Sequence, residues 1–284
     1  MFIFTRFKKS LAVVILIIFT ATLLCLLPGA GTESKETQKG IDLPIIMYHS
    51  LLKDKKLQND YTISPTIFEE DLKYITQNGY TTITVSELVS YVYQGKALPQ
   101  KCIMLTFDDG YYNNYYYAFP LLKKYKCKAV ISPIVSVTEK FTQSEDISVT
   151  YGYVSVDNLR EMVESGFVEI QNHSYDMHSL APRRGVEQKS NEIDDDYKTT
   201  VISDISRAQD YLIKNVGIKP DCFVYPFGAK SKNTLEIIRE MGFVCTMTCT
   251  EKNNVITKDP ESIFELGRYR RRPDKSLKDM LAAV

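Results

Sequence analysis

The chain contains no tryptophan, only three histidines and no excess charge: 35 lysines and arginines stand against 35 aspartates and glutamates. A balanced charge argues against nucleic acid as the main partner, because phosphate binding rests on clustered positive side chains. Without tryptophan, any aromatic stacking surface has to come from tyrosine or phenylalanine. With three histidines, imidazole chemistry is confined to His49, His173 and His178. Cysteine is sparse as well. One of the six, Cys25, lies in an apolar N-terminal run, and the five that remain have no regular spacing, so the sequence does not describe a disulfide-stapled domain. Cys245 and Cys249 are four apart on an apolar stretch with no histidine nearby, which reads as buried thiol rather than a metal site; a single disulfide stays open.

What is present suffices for one globular domain. A chain of 284 residues, 44% hydrophobic, covers about three quarters of its unfolded surface on folding. Its chemistry gathers at the ends of apolar runs. Lys101-Cys-Ile-Met-Leu-Thr-Phe-Asp-Asp-Gly110 is apolar without alternation from Cys102 to Leu105, the pattern of a strand buried on both faces, and ends in two carboxylates. In parallel α/β folds the carboxyl ends of strands form the rim where sites are built, which makes Asp108 and Asp109 site candidates. Taken alone, Asp-Asp-Gly is equally a turn signal. Two of the three histidines, His173 and His178, come after a second apolar run, Phe167 to Ile170. Five residues apart, they sit about 140° apart on a helix and on opposite faces of a strand, so only a loop brings the rings together. Two imidazoles and one carboxylate are a usual ligand set for a catalytic Zn²⁺. The third histidine ends Leu43-Pro-Ile-Ile-Met-Tyr-His49, and a fourth run, Asp221 to Tyr225, leads into Pro226-Phe-Gly228, a turn that aims a backbone N–H at an anion.

These residues resemble the polysaccharide deacetylase family, metal-dependent carbohydrate esterases with a NodB homology domain. The match runs over roughly residues 43 to 272, and Thr106-Phe-Asp-Asp-Gly110 with the Asn- and Tyr-rich stretch after it is its most specific part. The resemblance implies a distorted, incomplete (β/α) barrel. It also implies Asp108 as the general base, Asp109, His173 and His178 as metal ligands, and the N–H of Phe227 as an oxyanion donor. The family's histidines are usually four apart; the five-residue step here is similar to the branch acting on poly-N-acetylglucosamine exopolysaccharides, whose members carry the catalytic acid early in the domain, where Met47-Tyr48-His49 stands. No histidine comes after His178, so His49 is the acid this implies. Val224 replaces an arginine often found before the Pro-aromatic-Gly turn. Arg268 is a substitute for it, with a solvated arginine in the basic run Arg268, Arg270, Arg271, Arg272 as the other reading. Val156 stands where relatives frequently carry tryptophan, which leaves sugar stacking to Tyr111 or Tyr112, next to the carboxylates; helix packing is the other account of the Tyr111 to Tyr117 cluster.

At the N-terminus, Arg6, Lys8 and Lys9 precede Leu11 to Leu27, an almost unbroken apolar segment. Residues 1–31 therefore read as a signal peptide or a signal anchor, and either one exports the domain behind it. Residues 32–42 read as a flexible linker, and 43–284 as the catalytic domain. Ser64 caps a helix that Gly79 ends, and Val85 to Tyr93 is the next. Further on come a helix from Phe119 to Lys124, a strand from Ala129 to Val135 and a helix from Asp157 to Ser165. Arg183 to Lys198 is expected as a mobile charged rim loop, whose Asp194, Asp195 and Asp196 are not ligands. Ser203 to Asn215 and Thr234 to Met241 are helices, and Phe243 to Thr248 a strand. The alternation favours a parallel α/β barrel.

The resemblance implies metal-assisted hydrolysis of N-acetyl groups on an extracellular or cell-wall polysaccharide. Peptidoglycan de-N-acetylation, glycan O-deacetylation and a non-catalytic wall-binding module are the alternatives. Zn²⁺ suits the ligand set best, and Co²⁺, Ni²⁺ and Fe²⁺ accept the same donors.

Overall fold

The computed structural model describes residues 40–144 and 147–282. The apolar N-terminal segment and most of the expected linker lie outside the described residues. Among the described residues, no helix is long and apolar enough to cross a membrane.

Seven parallel strand segments form the core: β1 (Ile45–Tyr48), β2 (Cys102–Asp109), β3 (Ala129–Pro133), β4 (Val168–Ile170), β5 (Cys222–Val224), β6 (Cys245–Met247) and β7 (Tyr269–Arg270). Pairing runs β7-β1-β2-β3-β4 in one sheet and β5-β6 in another. Single bridges, Asn172 to Phe223 and Met247 to Leu266, join the two into a continuous ring. That is one strand fewer than a complete (β/α)₈ barrel.

The central strand β2 is buried along its whole length. Its alternate residues divide between two apolar clusters. Ile103, Leu105 and Phe107 face outward and pack with Phe68, Leu72 and Ile75 of helix α1 (Pro65–Gln77). Cys102 and Met104 face inward with Ile45, Val130, Val224, Met247 and Leu266. The strand runs through Asp109, so the two carboxylates are its last residues, at the strand end as expected, and not a separate turn. Gly110 behind them has φ +75, and a Cβ there would lie 2.7 Å from the Pro133 Cβ, so only glycine fits.

Helix starts obey the expected chemistry. Ser64 accepts the N–H of Ile67, and Thr84 with Glu87 forms a capping box for helix α2 (Val85–Gln94). The chain's C-terminal strand is tied to α1: Arg271 grips Asp71 through two bonds of 2.8 and 2.9 Å, and the Tyr48 hydroxyl donates to the same carboxylate at 3.0 Å.

Two expectations need correction. The tail of the supposed rim loop is helix: α3 runs Asp194–Val216, starting well before Ser203, with all three aspartates in its first turn. Acidic side chains there oppose the positive end of the helix dipole, so a charge run signalled a helix start. Arg183 and Glu192 are paired by side-chain hydrogen bonds and largely buried, which fixes the segment before that helix. Second, Ile41 and Asp42 are not linker; they pair antiparallel with Val255 and Ile256. The five described cysteines are all free thiols, in keeping with the thiol reading of Cys245 and Cys249.

Candidate active site

Asp108 continues the inward row of β2 above Met104 and Thr106 and is 1% exposed. Its partner is Arg268, fully buried at the entrance to β7. Both Nη atoms donate to the carboxylate, each at 2.7 Å, while Nε donates to the Thr248 carbonyl at 2.9 Å. The solvated reading of Arg268 is therefore overturned. A guanidinium can be buried when its planar donors are filled, and a bidentate carboxylate fills two of them. Burial by itself would push the Asp108 carboxyl up; Arg268, and after it His173, more than offsets this and holds it below the usual carboxylate range.

Asp109 would point away from this row in a regular strand, but its φ of 70 turns it back into the same cavity. There its Oδ1 lies 3.1 Å from His178 Nε2 and 3.6 Å from His173 Nε2. His173 Nδ1 sits 2.7 Å from the Val224 carbonyl, and donation of its proton there leaves Nε2 with a lone pair toward Asp109. Asp109 Oδ1 is buried without a hydrogen-bond partner. Lone pairs converging on one buried point demand a cation. Tetrahedral Zn²⁺ with bonds of about 2.0–2.1 Å separates its ligand atoms by about 3.4 Å, close to the observed spacings. The three residues thus fit a divalent metal.

The five-residue step between the histidines is built, not slack. Asn172 Oδ1 accepts the N–H of Ser174, which adopts φ 72. Asp204 of α3 accepts the N–H groups of Tyr175 and Asp176, at 2.8 and 2.9 Å. Sequence reading missed Asp204. It lies beside Ile205, in the buried stripe Tyr197, Val201, Ile205, Ala208, and an acid at the border of such a stripe is the one signal it offers.

His49, just after β1, puts Nε2 4.0 Å from Asp108 Oδ2. Burial lowers its basicity, against the pull of Asp108 and Asp109. Phe227 stands in the Pro226–Gly228 turn with φ 58, its ring 4.3 Å from that of His178. Its N–H donates no hydrogen bond within the described chain and remains available to a ligand. His49, Asp108, Asp109, His173, His178 and Phe227 face one cavity of about 830 Å³. Tyr111 lines it, its ring stacked on Tyr153; burial, then the Asp109 charge, pushes its hydroxyl pKa up. Tyr112 does not line the cavity and packs near Tyr115 and Tyr116. Helix packing, the plainer account, describes it.

A family model for polysaccharide deacetylases matches residues 95–246, more than half of the chain. The chain belongs to the polysaccharide deacetylase family. The deacetylase is thus a hydrolase, of a family that depends on metal. Among its relatives is the poly-β-1,6-N-acetyl-D-glucosamine N-deacetylase of Staphylococcus aureus strain MRSA252, 26% identical over 263 residues, which are 84% of this chain and 86% of that protein. The structure of IcaB from Ammonifex degensii is 28% identical with a TM-score of 0.68, covering 83% of the deacetylase and 94% of IcaB. A de-N-acetylase from Aggregatibacter actinomycetemcomitans, 24% identical, shares the fold with a TM-score of 0.74 over 86% of this chain and all of its own.

Proposed function

We propose that the deacetylase removes N-acetyl groups from N-acetylglucosamine units of an extracellular polysaccharide of the poly-β-1,6-N-acetylglucosamine type, releasing acetate. The observation carrying this is the placement of a bidentate-held carboxylate, Asp108, beside the Asp109, His173, His178 set, with His49 in the same cavity. The name of the S. aureus relative supports the polymer.

In this reading Asp109, His173 and His178 hold a divalent metal, with Zn²⁺ the best match to two imidazoles and a carboxylate. A metal bound there would supply Lewis acidity toward the acetyl carbonyl and lower the pKa of water. Asp108, kept ionised by Arg268, takes the proton from the attacking water. The Phe227 N–H donates to the oxyanion as the carbonyl carbon becomes tetrahedral. His49, as imidazolium, gives its proton to the departing sugar nitrogen as the C–N bond breaks, leaving acetate and a free amine. Each event adds a positive charge to the polymer, since the glucosamine amine is protonated near neutral pH. The apolar segment Leu11 to Leu27 supports export, as a domain anchored outside the cytoplasmic membrane or released from it.

The same residues would serve peptidoglycan de-N-acetylation or O-deacetylation, so substrate must decide. Acetate release by the purified, Zn²⁺- or Co²⁺-loaded protein is measured on a β-1,6-linked N-acetylglucosamine oligomer, a β-1,4-linked one and peptidoglycan fragments. Turnover is expected on the β-1,6 oligomer; turnover only on the others moves the substrate to the cell wall and refutes the exopolysaccharide assignment.

A further inference from the structure

The absence of tryptophan leaves the sugar-stacking face to other aromatics, and of the two sequence candidates, Tyr111 and Tyr112, Tyr112 does not line the cavity. Among the described cavity-lining aromatics, Phe227 is set against His178 and Tyr111 has one face covered by Tyr153. Tyr61 differs: it lines the cavity and is 51% exposed. Its position is fixed from several sides. The Tyr61 N–H donates to Asn59 Oδ1 at 2.8 Å, and its carbonyl accepts the N–H of Ser50, the residue after His49, at 3.1 Å. The Arg270 guanidinium lies over the ring at 4.8 Å and is paired with Asp60 at 3.3 Å. The His49 ring forms a T-shaped pair with it, centroids 5.0 Å apart at 76°. One face of the tyrosine is thus backed by a cation, its ring stands nearly perpendicular to that of the acid, and the residue is 51% exposed in the cavity wall.

An exposed tyrosine held this firmly loses little rotamer entropy on binding, which suits it to pack against the C–H face of a pyranose. We propose that Tyr61 is the stacking platform for a sugar ring of the polymer, on the His49 side of the cavity, next to the unit whose nitrogen His49 protonates. Arg270 and Asp60 act as positioning residues that hold the platform. This deepens the polysaccharide reading above and rests on it. It also explains how the protein manages without tryptophan.

The test uses the full-length protein. Binding of a β-1,6-linked N-acetylglucosamine pentamer is measured by calorimetry in the Asp108→Asn background, with and without Tyr61→Ala, and kcat and KM are measured in the active background. Expected for Tyr61→Ala is a rise of about tenfold in both Kd and KM, with kcat changed less than about twofold and Tyr61→Phe near the parent. Tyr116→Ala, equally 51% exposed but outside the cavity, should change neither constant. An unchanged KM, or a fall in kcat at constant KM, overturns the proposal, the second because it would make Tyr61 a support for His49. If the parent turns over only the β-1,4 oligomer, the exopolysaccharide reading fails while the Tyr61 comparison is read on that oligomer. Failure of both pentamers to bind overturns the platform itself.

Discussion

Replacing Arg268 with methionine isolates the most buried charge pair of the site. Neither partner reaches solvent to any extent, with side chains 0% and 2% exposed, and two bonds of 2.7 Å join them. The variant leaves Asp108 as an uncompensated buried charge, a change that costs about 3–5 kcal/mol in comparable pairs. For a domain of this size that lowers Tm by roughly 6–20 °C at pH 7. The pH dependence gives the sharper readout. In the parent, Arg268 keeps the folded-state pKa of Asp108 depressed, so its contribution to stability is present above the ordinary carboxylate range and is lost as pH falls through the depressed value. In the variant, burial acts unopposed by the guanidinium and favours the protonated form, so the penalty disappears as pH falls. The Tm gap between parent and variant, measured by calorimetry on chelated protein, should therefore narrow steadily from pH 7 to pH 4. Arg268→Lys, which keeps the charge but loses the fork, should fall between the two. A gap of the same size at both pH values would refute the argument, because the loss would then come from packing and not from the Asp108 charge.

The other expectations concern the histidine loop, the turn and the base. Asp204→Ala frees the Tyr175 and Asp176 N–H groups and should weaken Zn²⁺ binding about 10–100-fold by competition titration; unchanged metal affinity would show that the loop holds its shape without α3. Phe227→Gly keeps the main-chain donor and relieves a non-glycine φ of 58, so turnover should stay within about tenfold of the parent. A loss as large as that of a removed oxyanion donor would place the function in the ring instead. Asp108→Asn should cut kcat by about 10²–10⁴ while metal content stays at the parent level; loss of the metal as well would reverse the roles given to the two aspartates.

How much of this could be read from the chain depended on how local the signal was. Asp108 and Asp109 were legible because a short apolar run with no alternation suits a strand buried on both faces, and its abrupt polar end marks where the rim lies. The cap at Ser64 was legible for the same reason: the hydrogen bonds that start a helix are made within three residues. Arg268 was not. Four arginines within five positions look like a solvated face, yet Arg268 and Arg271 are buried against Asp108 and Asp71, which lie 160 and 200 residues away in sequence. Asp204, Tyr61 and the Val224 carbonyl were hidden likewise, since each acts through a partner that only the closed ring brings near. Asp194 to Asp196 misled in the opposite direction, because a helix dipole can recruit the charge that composition assigns to a loop.

The order of strands in the ring accounts for the construction of the site. β2 carries both aspartates, and its neighbour β1 is paired on its far side with β7. The acid-bearing strand from the start of the domain and the arginine-bearing strand from its end are therefore adjacent, and both reach Asp108 from the same side. On the other side β3 and β4 lead to the histidine loop. Asp108 thus lies where charge control arrives from the chain's two ends, and Asp109, one residue on and turned by its positive φ, lies where the metal donors arrive from the chain's middle. A single-residue change of backbone conformation at the end of β2 is what lets adjacent carboxylates serve these two surroundings at once. Removing that turn should move Asp109 out of the ligand set and leave the Arg268 pair intact.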